Sequence, residues 1–124
     1  MDDQFETLVI EAADILGNQE NWQWRVGELS QKIVETYGFK ALEDFSKQIE
    51  QHCGVKRTPG SLRMYAYTWL KSSQLGLPKD ILFSGCQSII FSGDPVKYAR
   101  LAKGGASRVE IIHQIYEDKT AQES

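Results

Sequence analysis

The sequence is poor in the residues that build metal sites and covalent frameworks. Its two histidines, His52 and His113, stand far apart with no glutamate or cysteine at ligand spacing, so no zinc motif is present. The two cysteines, Cys53 and Cys86, follow no motif spacing and read as small buried hydrophobes rather than as a disulfide or a ligand pair. No apolar run reaches the roughly 18 residues a bilayer demands, so no membrane-spanning segment is expected. The opening MDDQFETLVI is acidic where a signal peptide is basic, and the expectation is a cytoplasmic protein. Phosphate-cradling glycine loops are missing as well: Gly104-Gly105 has neither the preceding strand nor the lysine-hydroxyl pair of such loops. The carboxylates fall on helix faces expected to be wet, with no sign of a buried pair for acid-base work. No catalytic residue, metal, cofactor or small-molecule substrate is therefore expected.

Positive charge is also in deficit. The chain has 17 acidic and 14 basic residues, a net charge of −3, which by itself argues against a polyanionic partner. Distribution matters more than the total. Most acidic residues precede Asn21, lie between Glu43 and Glu50, or close the chain, whereas Val55 to Lys79 holds Lys56, Arg57, Arg63, Lys71 and Lys79 with no acidic residue. A window of that kind is either a local positive field or a solvated face.

What is present is enough for one compact helical domain: 124 residues, 41% hydrophobic and 25% charged, the proportions of an ordinary soluble globular protein. Phe5, Leu8, Val9, Ala12, Ile15 and Leu16 share one stripe at helical spacing, ended by Gly17-Asn18. Trp22, Val26, Leu29, Ile33, Val34 and Tyr37 form a second stripe that stops at Gly38. Trp22 and Trp24 read as anchors of that helix against the core rather than as a ligand platform. A third helix spans about Ala41 to His52, with Leu42, Phe45 and Ile49 inward and Glu43, Lys47 and Glu50 outward; Gly54 supplies the left-handed residue that ends it. Thr58 caps a fourth helix that begins at Pro59.

Along this fourth helix Leu62, Tyr65, Ala66, Trp69 and Leu70 fall on one side, and Gly60, Arg63, Met64, Tyr67 and Lys71 on the other. The second side mixes cations with a hydroxyl-bearing aromatic and no acid, unlike an ordinary solvated face. Arg63, near the start, suits bidentate pairing with guanine; Lys56, Arg57, Thr58 and Ser61 surround the helix N-terminus, where a phosphate binds; Tyr67 and Lys71 suit backbone contacts further along. After Gly76 an apolar helix covers Cys86, Ile89, Ile90 and Phe91. Asp94-Pro95 starts another, and Ser107 with Glu110 forms a capping box for a last helix whose stripe is Val109, Ile112, Ile115 and Tyr116. The tail TAQES is expected to fray. The nearest strand candidate, Ile81 to Phe83, is too short to alter an all-α assignment of six to seven helices.

The order of helix, basic turn and reader helix, then LP, FSG, a DP-led helix and a final GGASRVEI helix, resembles the DNA-binding region of ParB/KorB-type partition and repressor proteins. Trp24-Arg25-Val26-Gly27-Glu28-Leu29-Ser30 is similar to the W-x-x-G-E-L-A-like opening of small actinobacterial and phage helix-turn-helix proteins. The likeness spans about residues 22 to 117. It implies a helix-turn-helix over about 41–73 followed by a helical part over about 77–119, and sequence-specific binding of double-stranded DNA, often as a homodimer. It places Thr58, Ser61, Arg63, Met64 and Tyr67 on the reading face. The turn departs from the family: Glu-Gln-His-Cys follows Ile49 before Gly54-Val55, and Lys-Arg-Thr-Pro-Gly lengthens the approach to the next helix. Each added helical residue rotates the downstream chain by about 100°, so the side of the fourth helix that faces a groove stays open here. A full partition protein's nuclease-like N-terminal domain has no counterpart, and no nucleotide-driven clamp is expected. The other reading is a helical protein-interaction adaptor, with Trp22, Trp24 and Tyr67 on an apolar patch and the basic window steering the partner.

Overall fold

The computed structural model describes residues 3–18, 22–78 and 81–123. Among these residues there are seven helices and no strand: α1 (Asp3–Asn18), α2 (Trp22–Tyr37), α3 (Ala41–Cys53), α4 (Pro59–Leu75), α5 (Leu82–Ile90), α6 (Pro95–Lys103) and α7 (Arg108–Glu123). Leu82 and Phe83, from the nearest strand candidate, belong to α5. The contacts divide the chain into two compact units, Met1–Leu70 and Lys71–Ser124, with the division inside α4.

In the first unit the three apolar stripes of α1, α2 and α3 close on one another. Phe5, Val9 and Ala12 of α1, Val26, Leu29 and Ile33 of α2, and Leu42, Phe45 and Ile49 of α3 are buried together, joined by Leu62 of α4. The Phe5 ring sits at the centre, edge-on to Tyr37 at 5.3 Å and to Phe45 at 6.0 Å. Each such ring stabilises the unit by about 1.5–3 kcal/mol through removal from water. Arg25 ties α2 to α1, pairing with Glu11 and, at 2.5 Å, with Glu28. Trp22 anchors its helix, edge-on to Tyr65 at 5.2 Å and packed against the core.

The second unit is built around Phe83, Cys86 and Ile89 of α5, Tyr98, Ala99 and Ala102 of α6, and Ile111 of α7. Asp94 caps α6 by accepting from the Lys97 N–H at 3.3 Å, and Ser107 accepts from the Glu110 N–H at 3.2 Å to start α7. Asp118 of α7 accepts from the Lys97 ammonium (2.8 Å), the Tyr98 hydroxyl (2.6 Å) and the Gln114 amide (2.8 Å), and so pins α7 to α6.

Three expectations are corrected in this unit. The stripe assigned to α7 faces the wrong way: Val109 and Tyr116 are 69% and 70% exposed and Ile112 is exposed, while Ile111 is buried and Ile115 half-buried. The cause is that α7 carries two overlapping apolar rows, and periodicity alone does not choose between them. The helix read as reaching Phe91 ends at Ile90, and Phe91 beyond it is exposed. The tail is helical as far as Glu123 rather than outside the last helix, and the Thr120 hydroxyl donates to the Tyr116 carbonyl at 2.9 Å. In the first unit Cys53 is half-buried, less enclosed than expected, whereas Cys86 in the second is fully buried.

Candidate functional site

The start of α4 is set by local chemistry on both sides of the turn. Gly54 takes φ 76°, a left-handed conformation that glycine adopts without a β-carbon clash, and its N–H donates to the Glu50 carbonyl at 2.8 Å. Residues 55–58 are then held by the Ser46 hydroxyl, which donates to the Arg57 carbonyl. Thr58 caps α4 as its sequence position predicts: its oxygen accepts from the Ser61 N–H at 3.1 Å, and its own proton goes to the Ser61 hydroxyl oxygen at 3.0 Å. Pro59 has no N–H and the Leu62 N–H donates to the Thr58 carbonyl at 3.0 Å, so the Ser61 hydroxyl proton and the Gly60 N–H are what the first turn leaves at the positive end of the helix dipole; Lys56, shortly before it in sequence, is exposed.

Leu62 and Ala66 bury one side of this helix, and α2 approaches it so closely that a β-carbon at Gly27 would stand 2.5 Å from the Tyr65 carbonyl oxygen. With that side committed, the opposite side is determined. Gly60, Arg63, Met64 and Tyr67, spaced three and four residues apart, are all exposed. The side read as outward from sequence is thus the exposed one at these four positions, whereas Lys71, read with them, is half-buried.

The cations of this region differ in what they are tied to. The Arg57 guanidinium lies 4.7 Å from the centre of the Trp22 ring and donates to the Lys56 carbonyl at 3.1 Å, while its Nε is buried without a partner. Arg57 is therefore largely absorbed by the fold. Arg63 is exposed, with its guanidinium carbon 4.3 Å from the centre of the Phe39 ring. No described carboxylate lies within 4.0 Å of Lys56, Arg57 or Arg63, in contrast to Arg25 and Lys97, which sit on acidic partners. Lys71 is half-buried and falls in the second unit. Lys79, the last cation of the basic window, lies outside the described residues.

Of the residues singled out in the sequence, the first unit brings Lys56, Thr58, Ser61, Arg63, Met64 and Tyr67 to the outward side or the N-terminal end of α4. Phe39 was missed. It follows the stop glycine of α2 and belongs to no apolar stripe, which is the signal that it had no place in the core; it is 54% exposed. The assembled surface offers a helix N-terminus with an exposed lysine just before it in sequence, and a guanidinium with no acidic partner for a planar acceptor pair. Among the described residues no group of three or more histidine, cysteine, aspartate or glutamate side chains could hold a metal ion, and no described helix is long and apolar enough to cross a membrane. Compared with family models, curated proteins and solved structures, the chain matches none.

Proposed function

We propose that the first unit binds double-stranded DNA, with α4 as the element that enters the major groove and α3 as the helix that supports it. The observation that carries this is Arg63: an exposed guanidinium, out of reach of every described carboxylate, on the outward side of the second turn of a helix whose other side is buried. A recognition helix reads bases from this part of its length, and arginine pairs bidentately with guanine O6 and N7. Lys56 and the capped N-terminus of α4 supply the phosphate contact that sets register. The likeness to ParB/KorB-type DNA-binding regions supports the same assignment, and with it a role as a transcriptional regulator or accessory factor of a bacterial or mobile element, without catalysis. A homodimer on paired half-sites belongs to this proposal and is read by sedimentation with and without duplex.

The test is duplex binding by fluorescence anisotropy across about 50 to 200 mM salt. Each phosphate neutralised steepens the dependence of log K on log salt by about 0.9. Arg63→Ala should weaken binding and relax base preference, and Lys56→Ala should lower the salt slope by about 1. Variants that bind as tightly as the parent, with the same slope, refute the proposal.

A protein partner is the second reading, carried by the exposure of Tyr67 (43%), Met64 (45%) and Phe39 (54%); Trp22 and Trp24, read into the same patch from sequence, are half-buried. Large apolar side chains grouped on one surface mark interaction sites. Binding of one protein that is indifferent to salt, without duplex binding, selects this reading instead.

A further inference from the structure

We infer that Phe39 aims Arg63 and so helps to set which base pair α4 accepts; this rests on the duplex-binding reading above. Phe39 sits in the connection between α2 and α3, where the Gly38 carbonyl accepts from the Ala41 N–H at 3.2 Å and the Phe39 carbonyl from the Leu42 N–H at 3.1 Å. The main chain beneath the ring is therefore fixed by the start of α3. The ring takes no part in the buried cluster of the first unit and is more than half exposed, yet it meets the Arg63 guanidinium at 4.3 Å. A long exposed arginine otherwise samples many rotamers, and ordering it on binding weakens the complex. Resting on an aromatic ring restrains the cation in advance.

The chemistry of the contact matters as much as its presence. A phenyl ring offers no oxygen or nitrogen acceptor, so it holds the guanidinium without taking any of its five N–H donors. A carboxylate in the same place would take two of those donors in a bidentate pair and offset the charge that draws a guanine's acceptors. Arg57 is the internal contrast: it too lies over an aromatic ring, but one of its terminal nitrogens donates to the Lys56 carbonyl and its Nε is buried. Of two ring-bound arginines, one is spent on the fold and the other is presented outward. Phe39 is in this sense a positioning residue, acting on base choice through Arg63.

The experiment selects binding sites from a random duplex pool with the parent chain, Phe39→Leu, Phe39→Trp and Arg63→Ala, and then measures affinity against salt for each. Phe39→Leu keeps an apolar side chain of similar size but removes the ring face. It should lower discrimination about two- to fivefold at the base position that Arg63→Ala relaxes, with the salt slope unchanged. Phe39→Trp should retain the preference of the parent. Phe39→Leu that discriminates as well as the parent overturns this inference and leaves duplex binding standing. So does a loss spread evenly over all positions with an altered slope, which marks a general structural role. Failure of the parent chain to bind any duplex overturns both proposals. In the free protein, the Arg63 side-chain protons should show an aromatic ring-current shift that Phe39→Leu abolishes; its absence in the parent also refutes the pairing.

Discussion

Gly27→Ala sets two effects of opposite sign against each other at one atom. In an isolated helix, alanine is favoured over glycine at an interior position by about 1 kcal/mol, and Gly27 lies in the interior of α2. In the folded chain the new β-carbon would stand 2.5 Å from the Tyr65 carbonyl oxygen and 3.0 Å from the Trp69 β-carbon. Neither can rotate away, because the first is main chain and the second is attached to it. The oxygen is roughly 0.9 Å inside ordinary contact, so α2 and α4 must part by about that much and loosen the packing of Leu62 and Tyr65. Overpacking of this kind costs about 1–3 kcal/mol, and an immovable backbone atom places it at the upper end. After the propensity gain, the net loss is about 2 kcal/mol. Gly60→Ala is the control, since a β-carbon there meets only the Thr58 hydroxyl oxygen at 3.9 Å. It should be neutral or stabilising by up to about 0.5 kcal/mol. Urea unfolding followed by tryptophan fluorescence reads this directly, because Trp22, Trp24 and Trp69 all lie in the first unit. A Gly27→Ala chain as stable as the parent, or more so, refutes the close crossing of α2 and α4.

The second unit offers three further tests. Ile111→Ala should destabilise by about 2–5 kcal/mol and Val109→Ser by less than about 0.5, and the reverse order in thermal melts would restore the stripe read from sequence. Hydrogen bonds from Lys97 first, then Tyr98 and Gln114, hold the Asp118 carboxyl down to about 2. A depressed folded value means that its contribution is present above the ordinary carboxylate range, near 3.8, and is lost as pH falls towards 2. Asp118→Asn should therefore flatten the acid limb of stability, and an NMR titration placing Asp118 near its ordinary value would contradict the network. Burial pushes the Cys86 thiol up to about 11, so Cys53 should react first with a thiol reagent at pH 8; equal labelling rates would show that Cys86 is not enclosed.

Much of the architecture was legible because its signals act over a few residues. Gly38 and Gly54 stop α2 and α3, and Thr58 and Asp94 cap α4 and α6, through hydrogen bonds closed within four positions of the chain. The stripes of α1, α2 and α3 each show one apolar side, and those sides are the ones buried. Two features were not legible. In α7 the rows through Ile111 and through Val109 are comparably apolar, so the choice belongs to the neighbour that packs there, with Asp118 gripped by Lys97 and Tyr98. Phe39 had no stripe and no motif, and its meeting with Arg63 joins positions 24 residues apart in sequence.

For this chain, sequence alone determined that seven apolar-striped segments would be helices, where most of them start and stop, and that a stretch around α4 carries cations without acids. Those properties are written in backbone propensity, capping and charge, which need no knowledge of distant residues. Only the tertiary structure decided how closely α2 crosses α4, which row of α7 is buried, and which arginine is presented rather than absorbed. Each of these depends on an atom from another segment: the Tyr65 carbonyl against Gly27, Asp118 against Tyr98, and the Phe39 ring against Arg63.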